Sequence, residues 1–199
     1  IGNLLDVTKI DAGFMKPRYV SADIVELVRG LAESVGDVAS GAGLTVRFET
    51  SCASRVVPLD CEKMERIILN LLSNAIKHTP AGGSILVSLR DAPGSVTICV
   101  SDSGEGIPLD RQDVIFDRFR QANTSLTRSS EGCGIGLSLT KSLVELLQGR
   151  IWFTGSPGRG ARFYVELPVL PECSRQRLPE VEGMPLSRKL EMEFSDIHK

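Results

Sequence analysis

The sequence predicts an α+β fold, on three observations. Three stretches repeat apolar residues at helical spacing, two pairs of short alternating runs are joined by turn residues as hairpins, and 42% of 199 residues are apolar. That length suffices for one sizeable core with appendages. A formal charge of −2 provides no basic surface for nucleic acid. No apolar run approaches the roughly 18 residues of a membrane span, and the N-terminus has no signal-peptide pattern. Five cysteines, Cys52, Cys61, Cys99, Cys133 and Cys173, include no CxxC pair, so neither a disulfide framework nor a zinc site is indicated and a reducing cytosol fits. The chain opens without Met on what reads as a helix already under way, so a fragment of a longer protein, with no membrane contact of its own, is expected.

In order along the chain, residues 1–12 read as the end of an amphipathic helix, stopped at Gly13 and followed by an irregular segment through Pro17. Ile24, Leu27, Val28, Leu31, Val35 and Val38 then form a helical stripe over 21–40, closed by Gly41 and Gly43. "LTVRFET" alternates as a strand, and "RVVPL" is a second candidate. Over 60–78, Met64, Ile67, Ile68, Leu71, Leu72 and Ala75 share one helix face. Asp60 suits the N-cap with Glu62 in the first turn, and Thr79-Pro80 before Gly82-Gly83 ends the helix. "ILVSLR" and "SVTICVSD" form a hairpin around "DAPG", the second run ending at Asp102. The stretch 103–133 is long, polar and glycine-rich outside "VIFDRF", and such loops in compact domains are usually functional. A helix resumes over 136–147, and "RIWFTG" and "ARFYVELP" close the fold around "SPGRG". Past Leu170 the chain turns to Pro, Glu, Arg and Lys, a tail or linker with a short helix over 186–197.

Three motifs carry chemistry. In "NLLSNAIKHTP", Asn70, Asn74 and Lys77 line one edge of an apolar helix face. A single Asn there is ordinarily a solvent-border amide. Two carboxamides with an ammonium are a different matter, because carboxamide oxygens can ligate Mg²⁺ while Lys neutralises phosphate. In "SDSGEGIP", Asp102 at a strand end can accept from an exocyclic amino group such as adenine's, and Gly104 and Gly106 allow a flat base near the backbone. Asp-Ser-Gly is equally a common turn, so both readings stand. In "EGCGIGLSLTK", glycines at 132, 134 and 136 run into a helix whose N-terminal amides suit a phosphate chain, or else form a hinge without ligand. Neither the GxGxxG dinucleotide fingerprint nor the GxxxxGK[ST] P-loop is present.

"NLLSNAIKHTP", "DSGEGIP", "VIFDRF" and "GCGIGLSL", in this order, resemble the N, G1, F and G2 boxes of sensor histidine kinases. The resemblance covers residues 1–168. It implies the Bergerat fold, an α/β sandwich with a mixed sheet of about five strands under about three helices. It divides the chain into 1–16, the end of a dimerisation and phosphotransfer helix with its linker; 17–168, the catalytic ATP-binding domain; and 169–199, a tail. By position it implies that Asn74 ligates Mg²⁺ with Asn70 assisting, that Lys77 and His78 reach phosphate oxygens, and that Asp102 receives the adenine amino group. Gly104, Gly106 and Ile107 would frame the base pocket. Gly132, Cys133, Gly134, Ile135, Gly136 and Leu137 would support the lid and phosphates. Phe116 and Phe119 would anchor the lid, about 117–131, which is expected to be mobile without nucleotide. Arg118, Arg120 and Gln121 are lid-proximal polar groups whose contact with nucleotide stays open. Cys133 stands where Thr is usual in the family, and Gln121 where many members carry Arg.

The implied activity is transfer of the ATP γ-phosphoryl group, leaving ADP, to a histidine on the protein's own dimerisation domain, as a homodimer in the full protein, and onward to a response-regulator receiver domain. Neither His78 nor His198 has the setting of a phosphoacceptor. ATP-hydrolysing members of the same fold carry a Glu four residues before the Mg²⁺-binding Asn. Here that position is Asn70, which cannot activate water as a base. The remaining alternative is a non-catalytic ATP- or ADP-binding regulatory module.

Overall fold

The computed structural model describes residues 6, 8–10, 12–117, 136–169, 190 and 194. The elements are β1 (Val20–Asp23), α1 (Ile24–Gly41), β2 (Thr45–Thr50), β3 (Val56–Leu59), α2 (Cys61–Lys77), β4 (Ser84–Ala92), β5 (Ser95–Asp102), α3 (Gly136–Leu146), β6 (Arg150–Gly155) and β7 (Ala161–Pro168). Five strands make one mixed sheet in the order β2-β4-β5-β7-β6. β2 runs parallel to β4 and every other pairing is antiparallel.

The register explains the single core. Ile85, Val87 and Leu89 of β4 lie opposite Asp102, Val100 and Ile98 of β5, and Val100 and Ile98 face Phe163 and Val165 of β7. With a strand period of two, these residues share one sheet face, and all except Asp102 are buried. The helices pack on that face, with α2 between α1 and α3. Burial of α2 therefore exceeds one stripe. Met64, Ile67, Ile68, Leu71, Leu72 and Ala75 are buried as the periodicity requires, and Leu69, Ser73 and Ile76 are buried as well. Each fully buried Ile or Leu here contributes about 2 kcal/mol of transfer free energy.

The first helix differs from its sequence expectation. Residues 20–23 are a strand, paired antiparallel with β3 in a separate two-stranded sheet. The helix starts only at Ile24 because Asp23 Oδ1 accepts from the N–H of Val25 (2.9 Å) and Glu26 (3.3 Å). The same oxygen accepts from Arg55 N–H (3.0 Å), tying the cap to the approach to β3. At the start of α2, Asp60 caps as expected, its Oδ1 accepting from Lys63 N–H at 3.1 Å. Its Oδ2 accepts from Lys63 Nζ and from Arg18 N–H, both at 2.7 Å, so the segment entering the domain is held at the head of α2.

Beyond β7, Phe194 is buried and its N–H donates to Leu190 C=O at 2.9 Å. Part of what reads as a polar tail thus packs against the domain. Among the described residues, no helix is long and apolar enough to cross a membrane.

Candidate functional site

The site forms where α2 ends against β5. Asn70 and Asn74 are half-buried along one edge of α2, and Lys77 and His78 at its C-terminus are exposed. Asn70 Nδ2 donates to Thr140 Oγ1 of α3 at 2.6 Å, and Thr140 Oγ1 donates to Gly136 C=O at 3.0 Å. A Cβ added at Gly136 would lie 2.5 Å from Asn70 Oδ1, so the absence of a side chain there makes room for the carboxamide. Asn74 Nδ2 is buried with no hydrogen-bond partner among the described residues. A buried amide left unpaired costs free energy, and a bound polar group would relieve that cost.

Asp102 ends β5 on the helix-covered face, opposite Ile85. Its Oδ1 accepts two backbone N–H bonds, from Gly104 at 2.9 Å and from Ala161 at 3.1 Å. Oδ2 remains as the carboxylate's other acceptor. Burial pushes this carboxyl above its ordinary pKa, opposed by the Gly104 and Ala161 N–H bonds and by nearby His78.

The loop after Asp102 is clamped to the end of α2. Glu105 N–H donates to His78 C=O at 3.2 Å, and His78 Nδ1 lies 3.0 Å from Glu105 Oε1. A Cβ at Gly104 would lie 2.0 Å from His78 O, and one at Gly106 (φ 74°) would lie 2.1 Å from Ser156 O. In the structure, then, protein backbone occupies the room these two glycines provide. It holds the loop after Asp102 against His78 and locks it under the β6–β7 turn. Gly160 (φ 69°) has the same function from the other side, against Asp102 O.

Of the other expected residues, Ile107 is buried in the core and Leu137 is half-buried against it. Phe116 packs on Phe153 and Phe163, with ring centroids 6.1 and 6.5 Å away, so its own ring is held in apolar surface. Gly132, Cys133, Gly134, Ile135, Phe119, Arg118, Arg120 and Gln121, the rest of the lid and His198 lie outside the described residues. Sequence reasoning missed Thr140 and the Gly160-Ala161 pair. Thr140 sits one helical turn after Gly136, a spacing that signals a side chain returning to the glycine's carbonyl. Ala161 carried no sequence signal, since it contributes only a backbone N–H.

The arrangement sets an acceptor-only carboxylate at one end and a carboxamide and ammonium edge at the other, joined through the His78–Gly104 contact. Among the described residues no group of three or more His, Cys, Asp or Glu could hold a metal ion.

The chain belongs to the histidine kinase-, DNA gyrase B- and HSP90-like ATPase family, which residues 59–171 match. Relatives to which it is similar are sensor histidine kinases. It is 42% identical over 170 residues to the sensor histidine kinase TmoS of Ectopseudomonas mendocina, covering 85% of this chain and 17% of that protein. The chain thus spans under a fifth of that relative. It superposes on full-length ShkA in complex with AMPPNP with a TM-score of 0.75 at 26% identity, covering 86% of this chain and 35% of that one. Histidine kinase ThkA in complex with response regulator protein TrrA shares the fold, with a TM-score of 0.66 at 23% identity over 85% of this chain and 48% of that one.

Proposed function

We propose that residues 17–168 are the ATP-binding catalytic domain of a sensor histidine kinase, preceded over 1–16 by the end of a dimerisation and phosphotransfer helix and followed by a tail. The domain donates the γ-phosphoryl group of ATP to a histidine on a dimerisation domain outside this chain, in a cytoplasmic setting, for passage to a response-regulator receiver domain. One observation carries this reading: Asp102, with Oδ1 committed to two backbone N–H groups, opens a loop whose Gly104 packs on the carbonyl of His78, at the end of the helix that carries Asn70, Asn74 and Lys77.

Each residue then has a chemical task. Asp102 Oδ2 accepts from the adenine amino group. Asn70 and Asn74 offer carboxamide oxygens, hard donors that suit Mg²⁺ shared with phosphate oxygens. The buried, unpartnered amide nitrogen of Asn74 is a donor that suits a phosphate oxygen, leaving the carboxamide oxygen as the end that would meet Mg²⁺. When bound, Mg²⁺ would neutralise charge on the phosphate chain. Lys77, exposed at the end of α2, adds a positive charge toward the same oxygens. Asn70 stands where a hydrolase would need a base, so the site holds and orients the phosphates without activating water. In the transfer, an imidazole nitrogen of the acceptor histidine bonds to the γ-phosphorus as the bond from that phosphorus to the bridging oxygen breaks. The electron pair leaves with ADP.

The test has two arms. The isolated chain binds ATP and ADP more tightly with Mg²⁺, and Asn74→Ala removes most of that gain in calorimetry. The chain alone does not phosphorylate itself, and the parent protein with Asn74→Ala loses autophosphorylation. Acid-labile phosphohistidine on His78 or His198 of this chain, or full autophosphorylation by the altered parent, contradicts the assignment. Nucleotide binding without transfer by the unaltered parent identifies a binding module instead.

A further inference from the structure

Thr140 is almost fully buried, 1% exposed, and its hydroxyl makes two bonds of fixed polarity. A hydroxyl has one proton, and Gly136 O, a carbonyl, can only accept. With that proton donated to Gly136 O at 3.0 Å, Thr140 Oγ1 must act as acceptor toward Asn70. The Asn70 atom 2.6 Å away is therefore the nitrogen. The orientation of the carboxamide follows from the partners: its NH₂ is turned into α3 and its oxygen lies over Gly136, where a methyl group would come within 2.5 Å.

We propose that Thr140 is a positioning residue for Asn70, holding the carboxamide so that its oxygen, the end able to ligate Mg²⁺, faces the phosphate end of the site. The proposal rests on the nucleotide reading above. Without the Thr140 acceptor, the NH₂ left unpaired against α3 would favour the turned-over setting that points it toward the ligand, and a nitrogen bearing two protons cannot ligate a hard cation. Ordering the amide before ligand arrives removes that cost from binding. Gly136 completes the device, because the oxygen occupies the space a side chain would take. The same bonds join α2 to the first turn of α3, so the orientation of Asn70 depends on how α3 is seated.

The experiment is a double-mutant cycle on the 199-residue chain, reading ATP affinity with and without Mg²⁺. T140V keeps shape and burial but removes the hydroxyl. It is expected to lower the Mg²⁺-dependent gain in ATP affinity about tenfold, with metal-free affinity changed less than about twofold. T140S, which restores the hydroxyl, recovers most of the gain. In an Asn70→Ala background T140V has no further effect, an outcome that a merely structural role would not produce. If T140V does not fold, as judged by thermal melting, T140A in the same cycle carries the test. Unchanged Mg²⁺ dependence in T140V overturns the proposal, as does an equal loss with or without Asn70, or an Asn70→Ala chain that keeps its full Mg²⁺ response. An unaltered chain that binds ATP equally with and without Mg²⁺ overturns the metal reading itself, a result distinct from all of these.

Discussion

Replacing Asp102 with Asn should separate binding from stability. The new carboxamide has two settings. With its oxygen toward Gly104 and Ala161 it keeps both backbone bonds of Oδ1 and turns NH₂ toward the adenine amino group, donor against donor. With NH₂ toward the backbone, two N–H groups lose their acceptor, at about 1–3 kcal/mol each, so the first setting wins. A hydrogen bond to a charged group contributes about 1.5–3 kcal/mol, and its loss lowers ATP affinity about 10- to 100-fold. Affinity for GTP, which has no amino group at that position, should fall less, so selectivity narrows. Stability should move the other way. Burial raises the folded-state pKa of Asp102, so its contribution to stability is fully present below the unfolded pKa and is lost as pH rises through the folded one. At neutral pH the buried carboxylate is therefore a cost, and D102N should melt no lower than the unaltered protein. ATP affinity of the unaltered chain should decline on acidification at a higher pH than an ordinary aspartate would set, as Oδ2 gains a proton. Calorimetric titration with ATP and GTP, beside thermal melts across the acid range, tests all of this. Undiminished ATP affinity in D102N, or a melting temperature well below that of the unaltered chain at neutral pH, would refute the reasoning.

Three further outcomes are expected. Asp60→Ala should cost about 3 kcal/mol in denaturant unfolding, because it leaves the ammonium of Lys63, 9% exposed, without its carboxylate and removes the α2 cap. A loss below about 1 kcal/mol would mean that the pair adds nothing beyond the cap. Gly106→Ala should destabilise by about 3 kcal/mol, since φ of 74° is strained for alanine and the new methyl meets Ser156 O at 2.1 Å. Wild-type unfolding would place the β6–β7 turn elsewhere. Phe116→Ala should cost about 2 kcal/mol, less than a fully buried Phe, through its lost contacts with Phe153 and Phe163, and chemical denaturation measures it.

The sequence by itself determined what local periodicity and local chemistry can specify. Six apolar positions of α2, its Asp60 cap and the edge of Asn70, Asn74 and Lys77 follow from 100° per residue. The two hairpins follow from alternation around "DAPG" and "SPGRG". What the tertiary structure decided needed partners distant in sequence. The stripe over 21–40 starts α1 three residues early, and only Arg55, arriving with β3, makes Asp23 the meeting point of cap and strand. Asp102 reads as a strand end in the sequence. Only pairing with Ile85 puts it on the covered face, and only Ala161, 59 residues away, completes the grip on Oδ1. Gly104 and Gly106 read as room for a flat base and Gly160 as a turn residue, yet in the fold the carbonyls of His78, Ser156 and Asp102 pack against them. Thr140 lay within a recognised motif without a role, because its partner Asn70 is 70 residues earlier and meets it only when α3 docks on α2. Spacing along one element is written in its own residues. The orientation of a carboxamide or the protonation of a carboxylate is set by groups that share no segment with it and converge only in the folded chain.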